Sequence, residues 1–220
     1  MIWRGTISSE CGTTRNLNMS NNLFNYSQFI LLVPFVILIL FGISVGLRIT
    51  RKEKEILMKL AGQLNGSMPR FSLYRSLKGQ YQGVDFLIKL IPAGKHTPPY
   101  LAIDLYKRSA FKLNVYEESG FTNFAKKLGF LREVKVGDEV FDKRLMISSN
   151  KPDDAALFLL NTDKRNAINR IFDQGFKSFV INGKSVAILK PYYALERDLS
   201  PDFIKEALRL LNLIAVGLMG

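Results

Sequence analysis

The first sustained pattern along the chain is residues 29–47, FILLVPFVILILFGISVGL, nineteen residues without a charge. At 1.5 Å per residue an α-helix of this length measures about 28 Å, close to the ~30 Å hydrocarbon core of a bilayer. Fifteen of the nineteen are Phe, Ile, Leu or Val. Each favours insertion by about 0.3–0.6 kcal/mol at a helix centre, which outweighs Pro34, Gly42, Ser44 and Gly46. A membrane-spanning helix is predicted. A cleaved signal peptide is the competing reading, with Ser44 and Gly46 as small residues before a cut. Against it, residues 21–28 carry no cation, whereas Arg48, Arg51, Lys52 and Lys54 follow the apolar run as a stop-transfer cluster. The same asymmetry places the carboxyl side in the cytoplasm.

Helical spacing continues over 48–66, with Ile56, Leu57, Leu60, Ala61 and Leu64 on one stripe and Arg51, Lys52 and Lys59 elsewhere. Gly66 reads as the helix-ending residue. The period then changes to two. Phe71, Leu73 and Leu77 precede a bend at 79–83. Val84, Phe86, Ile88 and Leu90 alternate with Asp85 and Lys89, and Leu101, Ile103 and Leu105, then Phe111, Leu113 and Val115, repeat the alternation. An antiparallel meander with one solvated face is expected. Phe121, Phe124, Ala125 and Leu128 suggest a short helix, and 140–148 a strand. Pro152 with Asp153 and Asp154 starts a helix, Thr162-Asp163 another ending at Gly175, and Ser200-Pro201-Asp202 caps a last one bearing Phe203, Ala207, Leu210, Leu211 and Ile214. Between them Asn182-Gly183 suggests a hairpin with a type I′ turn. The fold class is α+β, organised as a polar tail (1–28), a spanning helix (29–47), a juxtamembrane helix (48–66) and a cytoplasmic domain (67–220). Met19 is an alternative start of translation.

Composition narrows the chemistry. Among 220 residues there is one cysteine, Cys11, and one histidine, His96, so disulfide scaffolds and multi-thiolate or two-histidine metal sites are excluded. His96 lies in a Gly/Pro-bounded segment and reads as a solvated loop residue. Cys11, if extracytoplasmic, could pair between chains. The net charge is +12, and it is unevenly spread: 48–112 holds 13 basic and 4 acidic residues, 113–220 holds 16 and 14. An anionic leaflet next to the first segment attracts such a surplus, so Arg48, Arg51, Lys52, Lys54, Arg70, Arg75 and Lys78 are the candidate membrane-surface contacts. The bland alternative is that these cations only fix topology. Nucleic acid is not expected as a partner, because no binding motif accompanies the charge.

The run Val136-Gly137-Asp138, Phe141-Asp142, Leu145, Ile147-Ser148-Ser149-Asn150, Ala155-Ala156, Leu159-Leu160 and Ile168, followed by the hairpin and last helix, resembles a family of single-pass, membrane-anchored bacterial proteins with no assigned activity. The likeness covers about 130–215 and implies architecture without site residues. Arg144-Leu145 departs from it where a bulkier aromatic is expected. Catalytic signatures are near misses. Gly183-Lys184-Ser185 ends like a phosphate loop, but the glycine needed five positions earlier is Ser178, and before Gly94-Lys95 it is Lys89. Asp138, Glu139 and Asp142 could gather round a hard cation, although turn chemistry explains them as well. No catalytic, cofactor-binding or metal-ligating residue is assigned and no cofactor is expected. The sequence therefore points to a bilayer-anchored binding, scaffolding or assembly module with a protein partner or self-association. The alternatives are a membrane-associated enzyme and an anionic lipid-headgroup sensor using strands near Arg70, Arg75, Lys78, Lys107 and Arg108.

Overall fold

A computed structural model describes residues 18–69, 74–117 and 132–218. Arg70, Phe71, Leu73, Cys11, the 1–17 part of the tail and the helix expected around Phe121–Leu128 lie outside the described residues. The chain divides into two compact units, Met1–Arg51 and Lys52–Gly220. One helix, α1 (Asn18–Gln63), contains both the apolar run and the juxtamembrane stripe.

In the first unit, side chains of α1 are described for 32–44, 48, 50 and 51. Ten large apolar residues between Leu32 and Ile43 are all exposed, Val36 by 47% and Leu38 by 68%. Because they occupy nearly consecutive positions, they cover every side of the helix. Among the described residues no helix is long and apolar enough to cross a membrane.

The second unit is α+β. Eight strands, β1 (Arg75–Tyr81), β2 (Val84–Ile91), β3 (Tyr100–Leu105), β4 (Leu113–Glu117), β5 (Arg132–Glu133), β6 (Leu145–Ser149), β7 (Ser178–Ile181) and β8 (Val186–Pro191), form one sheet in the order β1-β2-β3-β8-β7-β4-β6-β5. All neighbours are antiparallel. The meander thus holds for β1–β3 only, since the β7–β8 hairpin is inserted between β3 and β4. Period-two side chains from seven strands align into one buried row, Leu77, Ile88, Ile103, Ile188, Phe179, Val115 and Ile147. Fully burying each such residue is worth about 1.5–3 kcal/mol, so this row is the spine of the core. Helices α2 (Glu139–Arg144), α3 (Pro152–Leu160), α4 (Thr162–Asp173), α5 (Leu195–Asp198) and α6 (Pro201–Ala215) complete the unit. The core also takes in Leu57, Leu60 and Leu64, the stripe at the end of α1.

Three local expectations change. Residues 140–148 divide into α2 and β6, because Asp138 caps a helix by accepting from the Phe141 N–H and only Phe141 of that helix is buried. Asn182-Gly183 is part of a four-residue loop between Ile181 and Val186, in which the Asn182 side chain accepts from the Lys184 and Ser185 N–H groups. The two-residue turn with both φ values positive is instead Gln82-Gly83 (50° and 78°), joining β1 to β2 between the paired Tyr81 and Val84. At the end of α1 the left-handed residue is Asn65 (φ 49°), and the Gly66 N–H reaches back to the Ala61 carbonyl at 2.8 Å. Gly66 has its own reason to lack a side chain, since a Cβ there would stand 2.7 Å from Leu77 Cδ1 and 2.9 Å from the Lys78 carbonyl.

Candidate binding site

Two ends of the sheet carry different chemistry. The core-facing row at the end where β2 finishes is Arg75, Leu90, Leu101 and Lys190, so cations stand where apolar residues continue the pattern elsewhere. Each is neutralised from a helix. Lys190, its side chain 6% exposed, meets the fully buried Asp198 of α5 at 3.1 Å and donates to the Gln174 carbonyl. Its ammonium also lies 4.7 Å from the Phe203 ring centre and 5.8 Å from that of Phe176. Burial pushes the Asp198 carboxyl up, but hydrogen bonds from Arg197, the Ala194 N–H and Lys190 outweigh this and hold it below its ordinary value. Arg75 pairs with Glu53, whose other oxygen accepts from the Tyr193 hydroxyl at 3.2 Å. Burial raises the Tyr193 phenol, with the Arg75 charge opposing. Lys52 and Glu196 add an exposed pair at 2.7 Å. These groups pin the start of the second unit to its sheet.

Toward the other end lies a groove of about 1000 Å³. It runs over β1 and β2 where Ser67, past the end of α1, pairs with Lys78 through two backbone hydrogen bonds of 2.7 and 3.0 Å. Lys78, Gln80, Asp85, Leu87 and Tyr106 line it. Among the described residues its ionisable groups besides the Tyr106 phenol are Lys78 and Asp85, and Asp85 already accepts from Gln80 Nε2 at 2.8 Å. The groove offers mixed polar and apolar contacts along a sheet. Among the described residues it presents no nucleophile beside a base.

The membrane-surface candidates are spread over both units. Arg48 and Arg51 are exposed in the first. In the second, Lys54 is exposed, Lys78 lines the groove, and Lys52 and Arg75 are engaged in the ion pairs above. Lys107 and Arg108 follow β3 at the groove end, away from Arg75. Asp138, Glu139 and Asp142 do not converge. Asp138 caps α2 and faces Arg165 at 3.4 Å, Glu139 pairs with Lys143, and Asp142 accepts from the Val136 and Gly137 N–H groups. Among the described residues no group of three or more His, Cys, Asp or Glu could hold a metal. His96 is an exposed loop residue, as its sequence context suggests. The Lys190–Asp198 pair and the groove were missed by sequence reading. The one available signal was a lysine at the inward position of the Val186, Ile188, Lys190 alternation.

No family model and no curated protein matches the chain. Among solved structures, the crystal structure of the mycobacterial trehalose monomycolate transport factor A, TtfA, superposes with a TM-score of 0.53 at 10% identity. The match covers 76% of this chain and 94% of that one. At this identity the likeness is one of fold.

Proposed function

We propose that the chain is a single-pass membrane protein whose 29–47 run crosses the bilayer, with the α+β unit on the cytoplasmic side as a binding or assembly module. The observation that carries this reading is the all-round apolar exposure of α1 over 32–43. Such a surface far exceeds the patches that monomers leave in water, and lipid is the solvent that fits it. The cations Arg48 and Arg51 behind it support the orientation. The module reading draws support from the contact surface that the groove gathers, and it agrees with a fold shared with a protein named as a transport factor. A photo-crosslinking amino acid placed at Tyr106 in the full chain, in its native membranes, is expected to give a discrete protein adduct. One placed at Leu157, exposed on α3, serves as control. Equal labelling at both positions, or none at Tyr106, would overturn the binding role of the groove.

A further inference from the structure

We propose that the Arg75, Ile91, Tyr100 and Pro191 end of the sheet rests on the anionic bilayer surface, with Tyr192 and Tyr74 as aromatic contacts and Lys95 as a headgroup contact. This rests on the membrane anchor proposed above, and adds which face of the second unit meets the lipid. The second unit begins at this end. Its first residue, Lys52, pairs with Glu196 just past β8, and the next, Glu53, is held by Arg75 at the start of β1 and by Tyr193. A bilayer crossed by the preceding segment is therefore nearest to the residues surrounding these pairs.

Tyr192 is the most telling of them. It follows β8 with φ 51° and is 74% exposed. The left-handed region costs a bulky residue about 1–2 kcal/mol, and glycine or asparagine would hold it at less. Its N–H donates to the Pro99 carbonyl at 3.0 Å, and the inverted backbone turns Tyr193 inward to Glu53. The fold thus explains the backbone, and among the described residues no contact explains the exposed phenol ring. A headgroup layer is where an amphipathic ring of this kind gains, its face against acyl chains and its hydroxyl in water. Tyr74 is exposed directly before β1, and Lys95 is exposed in the loop from β2 to β3 with no ion pair among the described residues. Of the described cations at this end, Lys52, Arg75 and Lys190 are neutralised by carboxylates, whereas Lys95 and Lys54 stand ready to meet lipid phosphate, each for about 1 kcal/mol.

The opposite end supplies the control. Tyr106, 48% exposed, with Lys107 and Arg108 has a similar aromatic and basic composition, but six residues of β3 separate it from the first end, roughly 20 Å at 3.3 Å per residue. The test uses the full chain with Trp3→Phe, so that a single tryptophan reports. Tyr192→Trp, His96→Trp in the neighbouring loop, or Tyr106→Trp is reconstituted into vesicles of phosphatidylcholine and phosphatidylglycerol with brominated acyl chains. Quenching several-fold greater at 192 and 96 than at 106 is expected, and it should weaken when phosphatidylglycerol is omitted. Vesicles that float with the protein while 192 and 106 are quenched alike, or 106 more, overturn this face and leave the anchor standing. Protein that does not float overturns both.

Discussion

Two stretches of helix in this chain are built from nearly the same aliphatic residues and meet opposite fates. In α6, Ile204, Ala207, Leu208, Leu211 and Ile214 recur at intervals of three and four and are buried, while Asp202, Lys205 and Arg209 occupy the other side and are exposed. In α1, residues 32–43 carry Leu, Val, Ile and Phe with no polar side to turn outward, and all the large ones are exposed. Spacing separates the two. A helix with one apolar stripe finds its apolar surroundings in its own fold, and a helix apolar on all sides finds them outside the chain. Charged substitutions break this comparison in opposite ways.

The largest effect is expected from Leu208→Asp. A carboxylate at this fully buried position costs several kcal/mol, comparable with a domain's whole stability of about 5–15 kcal/mol. Thermal denaturation followed by circular dichroism should lose its cooperative transition, while the chain stays in the membrane fraction. Asp198→Asn comes next, because it strands Lys190 beneath α5, and a loss of about 3–5 kcal/mol is expected in denaturant titration. This pair also sets an acid dependence. The Asp198 carboxyl titrates lower in the folded chain than in the unfolded one, so its stabilisation is complete above the ordinary carboxylate value near pH 4 and is lost as pH falls through the folded value. Melting temperature should therefore drop more steeply below about pH 4 in the native chain than in Asp198→Asn.

Leu38→Arg reverses the outcome of Leu208→Asp. Arginine at the centre of a spanning helix costs about 2.5–3.5 kcal/mol of insertion, so the membrane-bound fraction should fall while the melting temperature of the α+β unit is unchanged. The smallest effect is at the start of α6, where the Ser200 hydroxyl accepts from the Phe203 N–H. Ser200→Ala should lower stability by about 1 kcal/mol with no change in membrane attachment. A loss of attachment in Ser200→Ala, or of melting temperature in Leu38→Arg, would mean that the two helices are not solvated independently.

What could be read beforehand follows the same division between local and distant causes. The β2 alternation of Phe86, Ile88 and Leu90, the Pro152 and Thr162 helix starts and the Ser200-Pro201 cap are local signals, and each element appears where its residues place it. Insertion of β7–β8 between β3 and β4 depends on pairing between residues such as Leu113 and Ile181, or Tyr100 and Pro191, far apart in the chain, and leaves no local mark. The inward Lys190 reads as a break in apolar alternation until Asp198, eight residues on, is brought under it by α5. Likewise the groove exists because 65–69 passes beside β1, a crossing that the Asn65-Gly66 stop signal alone does not determine. Val140 misled because a β-branched residue beside Phe141 suggests a strand, whereas the Asp138 cap and the acid-to-base order of 139–144 favour one and a half turns of helix.

The proposed anchor requires 29–47 to lie across a bilayer, and the chain's single cysteine allows this to be measured directly. In sealed cells a membrane-impermeant maleimide should label Cys11, on the amino side, without permeabilisation. In a Cys11→Ser, His96→Cys chain the exposed loop position should be labelled only after the membrane is opened. Labelling of Cys11 and of the position 96 cysteine under the same condition, both before permeabilisation or both only after it, would put the two on one side and contradict the spanning helix.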